Sequence, residues 1–143
     1  MIRTLNSKDY FKWYMLCFNY LSFYESELKD AVFEATFIKL ISKDHPNQRA
    51  FVSEVNGTLT GLVHFITHPH NWKGEDVVLL QDLYTELPMR GQGIGRSLIE
   101  AVYKFADENG TPSVHWLTQD HNHVARRVYD RIASLNPFIK YVR

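Results

Sequence analysis

The chain has 143 residues, 45% hydrophobic and 22% charged, with sixteen basic and sixteen acidic side chains that cancel. That is enough for one domain over residues 1–143 with a real core, and the absence of a one-signed field argues against nucleic acid or a membrane surface as partner. The single cysteine, Cys17, excludes an internal disulfide, no apolar run approaches the ~20 residues of a spanning helix, and no signal peptide is visible, so the expected compartment is the cytoplasm.

Taken in order, Ile2–Thr4 reads as a short edge strand. Asn6 or Ser7 can cap a helix over residues 9–23, rich in aromatic side chains from Phe11 to Tyr24. A second helix is expected over 26–41, with Leu28, Val32, Phe33 and Phe37 at helical spacing, and Pro46 ends the region. Residues 50–55 and 59–67 flank Asn56-Gly57, a strong signal for a tight hairpin. A histidine- and tryptophan-containing loop (68–74) leads to a β-prone run from Val77 to Tyr84. Its His68 and His70, with His64 before it, match no strong metal spacing and read as surface residues, with Trp72 a candidate lid over a pocket. A helix over 95–109 follows, then a strand at 113–118, a short helix over 122–132 and a last strand at 138–142. The order β-α-α-β-β-β-α-β-α-β implies an α/β (α+β) fold: a mixed sheet with helices on both faces.

The chain is organised around the join between the β-prone run and its helix, Arg90-Gly91-Gln92-Gly93-Ile94-Gly95-Arg96-Ser97. Strand, glycine-rich turn and helix in that order make an anion site, because unpaired amides at a helix start point outward and the dipole favours negative charge. A Walker loop would need Lys-Ser/Thr after the last glycine, where Arg96-Ser97 stands. A dinucleotide fingerprint would need glycine at Arg96.

The remaining pattern, Arg90-x-x-Gly93-x-Gly95, resembles the pyrophosphate loop of the GNAT acyltransferases. Asn122-His-Val-Ala125-Arg-Arg-Val-Tyr129 resembles their second signature, and Gln81-Asp-Leu-Tyr-Thr85 and Trp116-Leu-Thr-Gln119 are similar to the Hpa2-type and diamine acetyltransferase branch. Pro88 stands one place later than is common, and Asn136-Pro137 replaces a frequent glycine. The resemblance implies a GNAT fold, with a mostly antiparallel sheet splayed at its middle, and transfer of an acetyl group from acetyl-CoA directly to a primary amine.

It also implies roles. Backbone groups of Leu83, Tyr84 and Thr85 would pair with the pantetheine arm. Arg90, Gly91, Gln92, Gly93, Ile94, Gly95, Arg96 and Ser97 would hold the pyrophosphate, and Asn122 would bond the cofactor while capping its helix. Tyr129, two turns beyond Asn122 on the same helix face, would protonate the leaving thiolate. A phenol near pKa 10 serving a thiol near 8.5 costs only about 2 kcal/mol. Deprotonating an ammonium near pKa 10.4 at neutral pH costs about 4 kcal/mol, so a base is useful. The diamine enzymes carry glutamate where this chain has Gln81. Asp82 adjoins the splayed strand and is the first candidate, with Glu86, Glu54, His64 and ordered water beside it. The acceptor is a small-molecule amine or a protein lysine, and the family habit is a homodimer paired through the last strand. A non-catalytic coenzyme A sensor of the same fold is the alternative function. A nucleotide-binding domain is a remoter one, with Asp120 as its only ribose ligand.

Overall fold

The computed structural model describes all residues, 1–143. Its elements are β1 (Ile2–Thr4), α1 (Tyr10–Phe23), α2 (Asp30–Ile41), β2 (Gln48–Val55), β3 (Thr58–His68), β4 (Val77–Thr85), α3 (Ile94–Glu108), β5 (Val114–His115) and α4 (His123–Ile132). The sheet runs β1-β2-β3-β4-β5 in space, antiparallel except for the parallel β4–β5 pair. At the hairpin Asn56 and Gly57 both have positive φ, 49° and 76°, as a two-residue turn of this hand requires.

Each sheet face has its own core. Trp13, Leu16, Phe33 and Phe37 of α1 and α2 pack on Val52, Leu62 and Tyr84. Leu98, Ile99, Val102 and Ala106 of α3 pack on Val63, Phe65, Val78 and Leu80 on the other side. The α3 set recurs at three- and four-residue steps, so one helix face is dry and the other wet. Where α3 crosses β3 the backbones come close. A Cβ on Gly61 would lie 2.9 Å from the Tyr84 carbonyl oxygen and 3.1 Å from Ile94. Only glycine fits there.

A β-bulge shapes the middle of β4. His64 pairs with Asp82 and Phe65 with Leu80, leaving Gln81 as the extra residue. A bulge inverts the alternation of side chains beyond it. Val78 and Leu80 face α3, and so does Leu83, whereas Tyr84 faces α1. Asp82 is thereby turned to the α1 face.

The expected splay is present. β4 and β5 pair only through Val78–Val114 and Leu79–His115, and beyond Leu79 the strands part. Glu86 N–H bonds the Thr60 carbonyl of β3 at 2.9 Å. By alternation, Leu83 and Thr85 turn their backbone groups away from β3 into the gap.

Three expectations need correction. The second helix starts at Asp30 rather than 26, because α1 closes with Glu25 at φ 53° and Ser26 N–H bonding Leu21 O at 2.9 Å, a helix-ending motif that spends the intervening residues on the turn. The strand expected at 113–118 is only Val114–His115, since β4 diverges and offers 116–118 no partner. The last strand, 138–142, does not form. Asn136 Oδ1 accepts the Phe138 N–H at 2.8 Å, a local bond that competes with a ladder, and Phe138, Ile139, Tyr141 and Val142 are each more than three-quarters exposed.

The first residues are tied down by charge. Buried Asp9 accepts from both Arg3 terminal nitrogens, at 2.7 and 2.9 Å, and from Asn6 N–H at 2.9 Å. The Arg3 bonds, first, hold its carboxyl below the ordinary 3.8 against the opposing effect of burial. A depressed carboxyl contributes stability that is full above its unfolded value and is lost as pH falls through the folded one. The urea midpoint is therefore expected to hold from neutrality to about pH 5 and then drop, more steeply than in Asp9→Asn. Equal slopes for the two proteins would refute this role.

Candidate active site

The loop between β4 and α3 is built to present amides. Gly91 and Gly93 sit at φ 79° and 80°, a region that costs other residues about 1–2 kcal/mol. Gly93 is the N-cap of α3 and supplies no capping side chain. Within the protein, the amides of residues 91 to 96 have no hydrogen-bond acceptor; the first paired one is Ser97 N–H, to Gly93 O at 3.0 Å. Space in front of Gly91 and Gly93 is open, with nothing within 4 Å of an added Cβ. Six consecutive donors, a helix N-terminus and clear space suit a pyrophosphate. Gln92, Arg96 and Ser97 are exposed at the rim, and Arg96 Nε is paired with Glu100 at 2.7 Å.

Arg90 is placed differently from its neighbours. Its Nε donates to the Thr85 carbonyl at 2.9 Å, and its guanidinium lies 5.6 Å from the Phe23 ring centre and 5.7 Å from that of Tyr84. That seat fastens the loop to the end of β4 and turns the guanidinium toward the α1 face.

The far wall of the gap comes from α4. Asn122 caps it, its Oδ1 accepting from Ala125 N–H at 3.4 Å. Arg126 closes the turn before it by bonding the Asp120 carbonyl and carboxylate, so Asp120 is already engaged. Tyr129 packs edge-on against Trp116 at 5.4 Å and joins the α3-side core beside Leu83 and Ile94. Its hydroxyl has no hydrogen-bond partner in the protein. Burial raises its pKa, with Tyr24 adding a smaller effect, so the phenol keeps its proton through neutral pH.

On the α1 face the gap opens onto a second group of residues. His64 Nδ1 lies 2.9 Å from Asp82 Oδ2, and Trp13 Nε1–H donates to His64 Nε2 at 2.9 Å. Tyr20 stands by; burial first, and then the charge of Asp82, push its pKa up. Asn19 holds Glu86 at 2.8 Å. Glu54, also a candidate base, lies at the other edge of the sheet, paired with Arg3, and is removed from the site.

Leu83, Ile94 and Tyr129 thus pack together on the α3 side, the 90–97 loop follows the end of β4, Asn122 stands at the start of α4, and Asp82 faces the α1 side. The roles of Trp13, Tyr20 and Asn19 were hidden in sequence, where α1 shows only aromatic helix periodicity. Trp72, 94% exposed, covers nothing. His68 meets His115 edge to face, with ring centres 5.3 Å apart, and no group of three metal-binding side chains is present.

Residues 7–133 match the acetyltransferase (GNAT) family. The chain is a GNAT acetyltransferase. It is 34% identical over 145 aligned positions to the D-amino-acid N-acetyltransferase HPA3 of Saccharomyces cerevisiae (strain ATCC 204508 / S288c), covering all of this chain and 89% of that protein. The GNAT fold is shared with solved structures across the whole chain. The ribosomal-protein-alanine N-acetyltransferase of Brucella melitensis biovar Abortus 2308 has a TM-score of 0.80 at 21% identity, with 97% of that chain covered. The aminoglycoside enzyme AAC(6')-Iy, in complex with the bisubstrate analogue CoA-S-monomethyl-acetylneamine, has a TM-score of 0.86 at 17% identity, with 96% covered. GNAT enzymes of this kind use acetyl-CoA as acyl donor, and this chain is an acetyl-CoA-dependent acetyltransferase. No helix is long and apolar enough to cross a membrane.

Proposed function

We propose that this single domain, residues 1–143, transfers an acetyl group from acetyl-CoA directly to a primary amine of a small molecule or a lysine side chain, with free amino acids as the first acceptors to test. The observation that carries the reading is the gap between β4 and β5, which has an amide cradle at one end and opens on a free phenol and a carboxylate from opposite sides. The relative HPA3, at 34% identity, is a D-amino-acid N-acetyltransferase, which supports an amino-acid amine.

In this reading the amides of residues 91–96, with Arg96 and Ser97 at the rim, hold the pyrophosphate. Leu83, and the N–H of Thr85 whose carbonyl is taken by Arg90, offer outward backbone groups to the pantetheine amides, as a strand edge does, with Tyr84 between them fixing the strand on the α1 core. Asn122 adds a polar contact at the start of α4. Acetyl-CoA supplies the activated thioester. Asp82 takes the proton that the ammonium must lose before its nitrogen can attack. Tyr129 Oη gives its proton to the departing sulfur. Its raised pKa makes it a weaker acid but keeps it protonated at working pH, the form a donor needs. Glu86 lies on the same face as Asp82 and adds negative charge that favours a cationic acceptor.

The test of the acceptor class is product analysis by mass spectrometry after incubation with acetyl-CoA and D-amino acids, L-amino acids, a polyamine and a lysine peptide, each separately. Acetylation of the amino acids supports the reading. Acetylation of the peptide alone would move the acceptor to proteins.

The chain is further proposed to act in the cytoplasm, its one thiol buried and unpaired, and as a homodimer. Phe138, Ile139, Tyr141 and Val142 alternate with or adjoin polar residues and find no partner in their own chain, while the outer edge of β5 is unpaired. A second copy offers both an edge and an apolar strand. Light scattering is expected to give twice the 16.8 kDa of one chain. A monomer at micromolar concentration would contradict the pairing.

A further inference from the structure

We propose that His64, locked by Trp13, is the positioning residue that holds Asp82 as proton acceptor for the amine, an inference that rests on the acetyl-transfer reading above. Indole N–H can only donate. Trp13 is 1% exposed and its Nε1 lies 2.9 Å from His64 Nε2, so Nε2 accepts and the imidazole proton sits on Nδ1. That proton points at Asp82 Oδ2, 2.9 Å away. The two residues are direct partners across β3 and β4, at the position where the bulge at Gln81 turns Asp82 to this face.

Two consequences follow for the chemistry. First, His64 has no lone pair left. It cannot take a proton from the acceptor unless a buried tryptophan gives up its only hydrogen bond, so it is not the base. Second, the one short hydrogen bond to Asp82 is that from His64 to Oδ2, on a side chain that is 24% exposed, with the Tyr20 hydroxyl the other donor near the carboxylate. The groups facing it from α1 are Cys17 and Tyr20, both held protonated by burial first, with the Asp82 charge adding to it. From β3 it is faced by His64. No lysine or arginine pairs with it. The ammonium gives one proton to Asp82, the neutral nitrogen adds to the thioester carbon, the carbon–sulfur bond breaks, and the second nitrogen proton replaces the one that Tyr129 gives to the departing sulfur. The proton leaves Asp82 to water, because the imidazole behind it is already full. A carboxylate held in place by one short hydrogen bond is pre-organised for a single proton transfer, and misplacement by about 1 Å can cost on the order of 100-fold.

The experiment uses two substitutions that each keep one of the two bonds. The amide nitrogen of His64→Asn stands near Nδ1 and can still donate to Asp82. The amide oxygen of His64→Gln stands near Nε2 and can still accept from Trp13. Steady-state rates are measured with acetyl-CoA and D-phenylalanine, with Asp82→Asn alongside. We expect His64→Gln to lower kcat about 10- to 100-fold and His64→Asn about threefold or less, with KM for acetyl-CoA unchanged in both. Equal losses in the two would assign His64 to packing alone and overturn the proposal. Full activity of Asp82→Asn would instead sink Asp82 as base, a failure of the underlying reading. Long-range proton–nitrogen NMR of the 15N-histidine-labelled full chain decides the lock without turnover. The His64 signals, identified by their loss in His64→Asn, should show hydrogen on Nδ1 and none on Nε2. Hydrogen on Nε2 overturns it.

Discussion

Tyr129→Phe is expected to lower kcat about 100-fold or more while leaving calorimetric binding of coenzyme A within about twofold, the range general acids supply. The substitution is unusually clean here. The Tyr129 hydroxyl makes no bond within the protein, so its removal orphans no partner, and the phenylalanine ring keeps the edge-on contact with Trp116. Thermal stability should therefore be unchanged. A loss confined to kcat is the mark of a group that acts in the transition state rather than in binding. The pH dependence has a definite sign as well. Burial raises the Tyr129 pKa above 10, so loss of its proton produces no fall in rate below about pH 9. If Tyr129→Phe kept full kcat, the phenol would be a core residue and the acid would have to be sought elsewhere.

Gly93→Ala is expected to raise KM for acetyl-CoA and Kd for coenzyme A about 10-fold, with a smaller effect on kcat. At φ 80° an alanine is strained, and relief of that strain rotates the amides that the first turn of α3 presents. The added methyl also enters the open space in front of the cradle. Gly57→Ala is the control. It carries the same kind of strain at φ 76°, also with nothing within 4 Å, but in the β2–β3 hairpin. It should lower stability and leave coenzyme affinity alone. Equal affinities for Gly93→Ala and the native protein would mean that the amides do not hold the phosphates.

Much of this site was legible before folding because its parts are local. The 90–97 loop is one strand-turn-helix, and the glycines that must take positive φ are written in it. Asn122 and Tyr129 are seven apart on one helix, so their common direction follows from helix geometry. The Asn56-Gly57 hairpin was legible for the same reason. What stayed hidden depends on contacts far apart in the chain. His64 and Asp82 were separate candidate bases in sequence; only the β3–β4 register and the bulge at Gln81 join them, and only the seat of α1 brings Trp13 to the imidazole. Arg90 matched its motif position, yet its seat over Phe23 and Tyr84 depends on where α1 ends. The last strand was misplaced because a β-prone apolar run such as 138–142 reports the tendency to pair without reporting whether a neighbour exists. Glu54 stood among the further candidate bases behind Asp82 until the sheet order put it beside Arg3.

The most direct test of acetyl transfer at this gap is thiol release from acetyl-CoA, followed with and without a panel of free amino acids and polyamines, beside calorimetric titration of coenzyme A into the full chain. The expected result is stoichiometric coenzyme binding together with thiol release that depends on an added amine. Tight binding with no amine-dependent release would contradict the account and leave a coenzyme sensor, and absence of binding would show that the amides of residues 91–96 do not form the cradle.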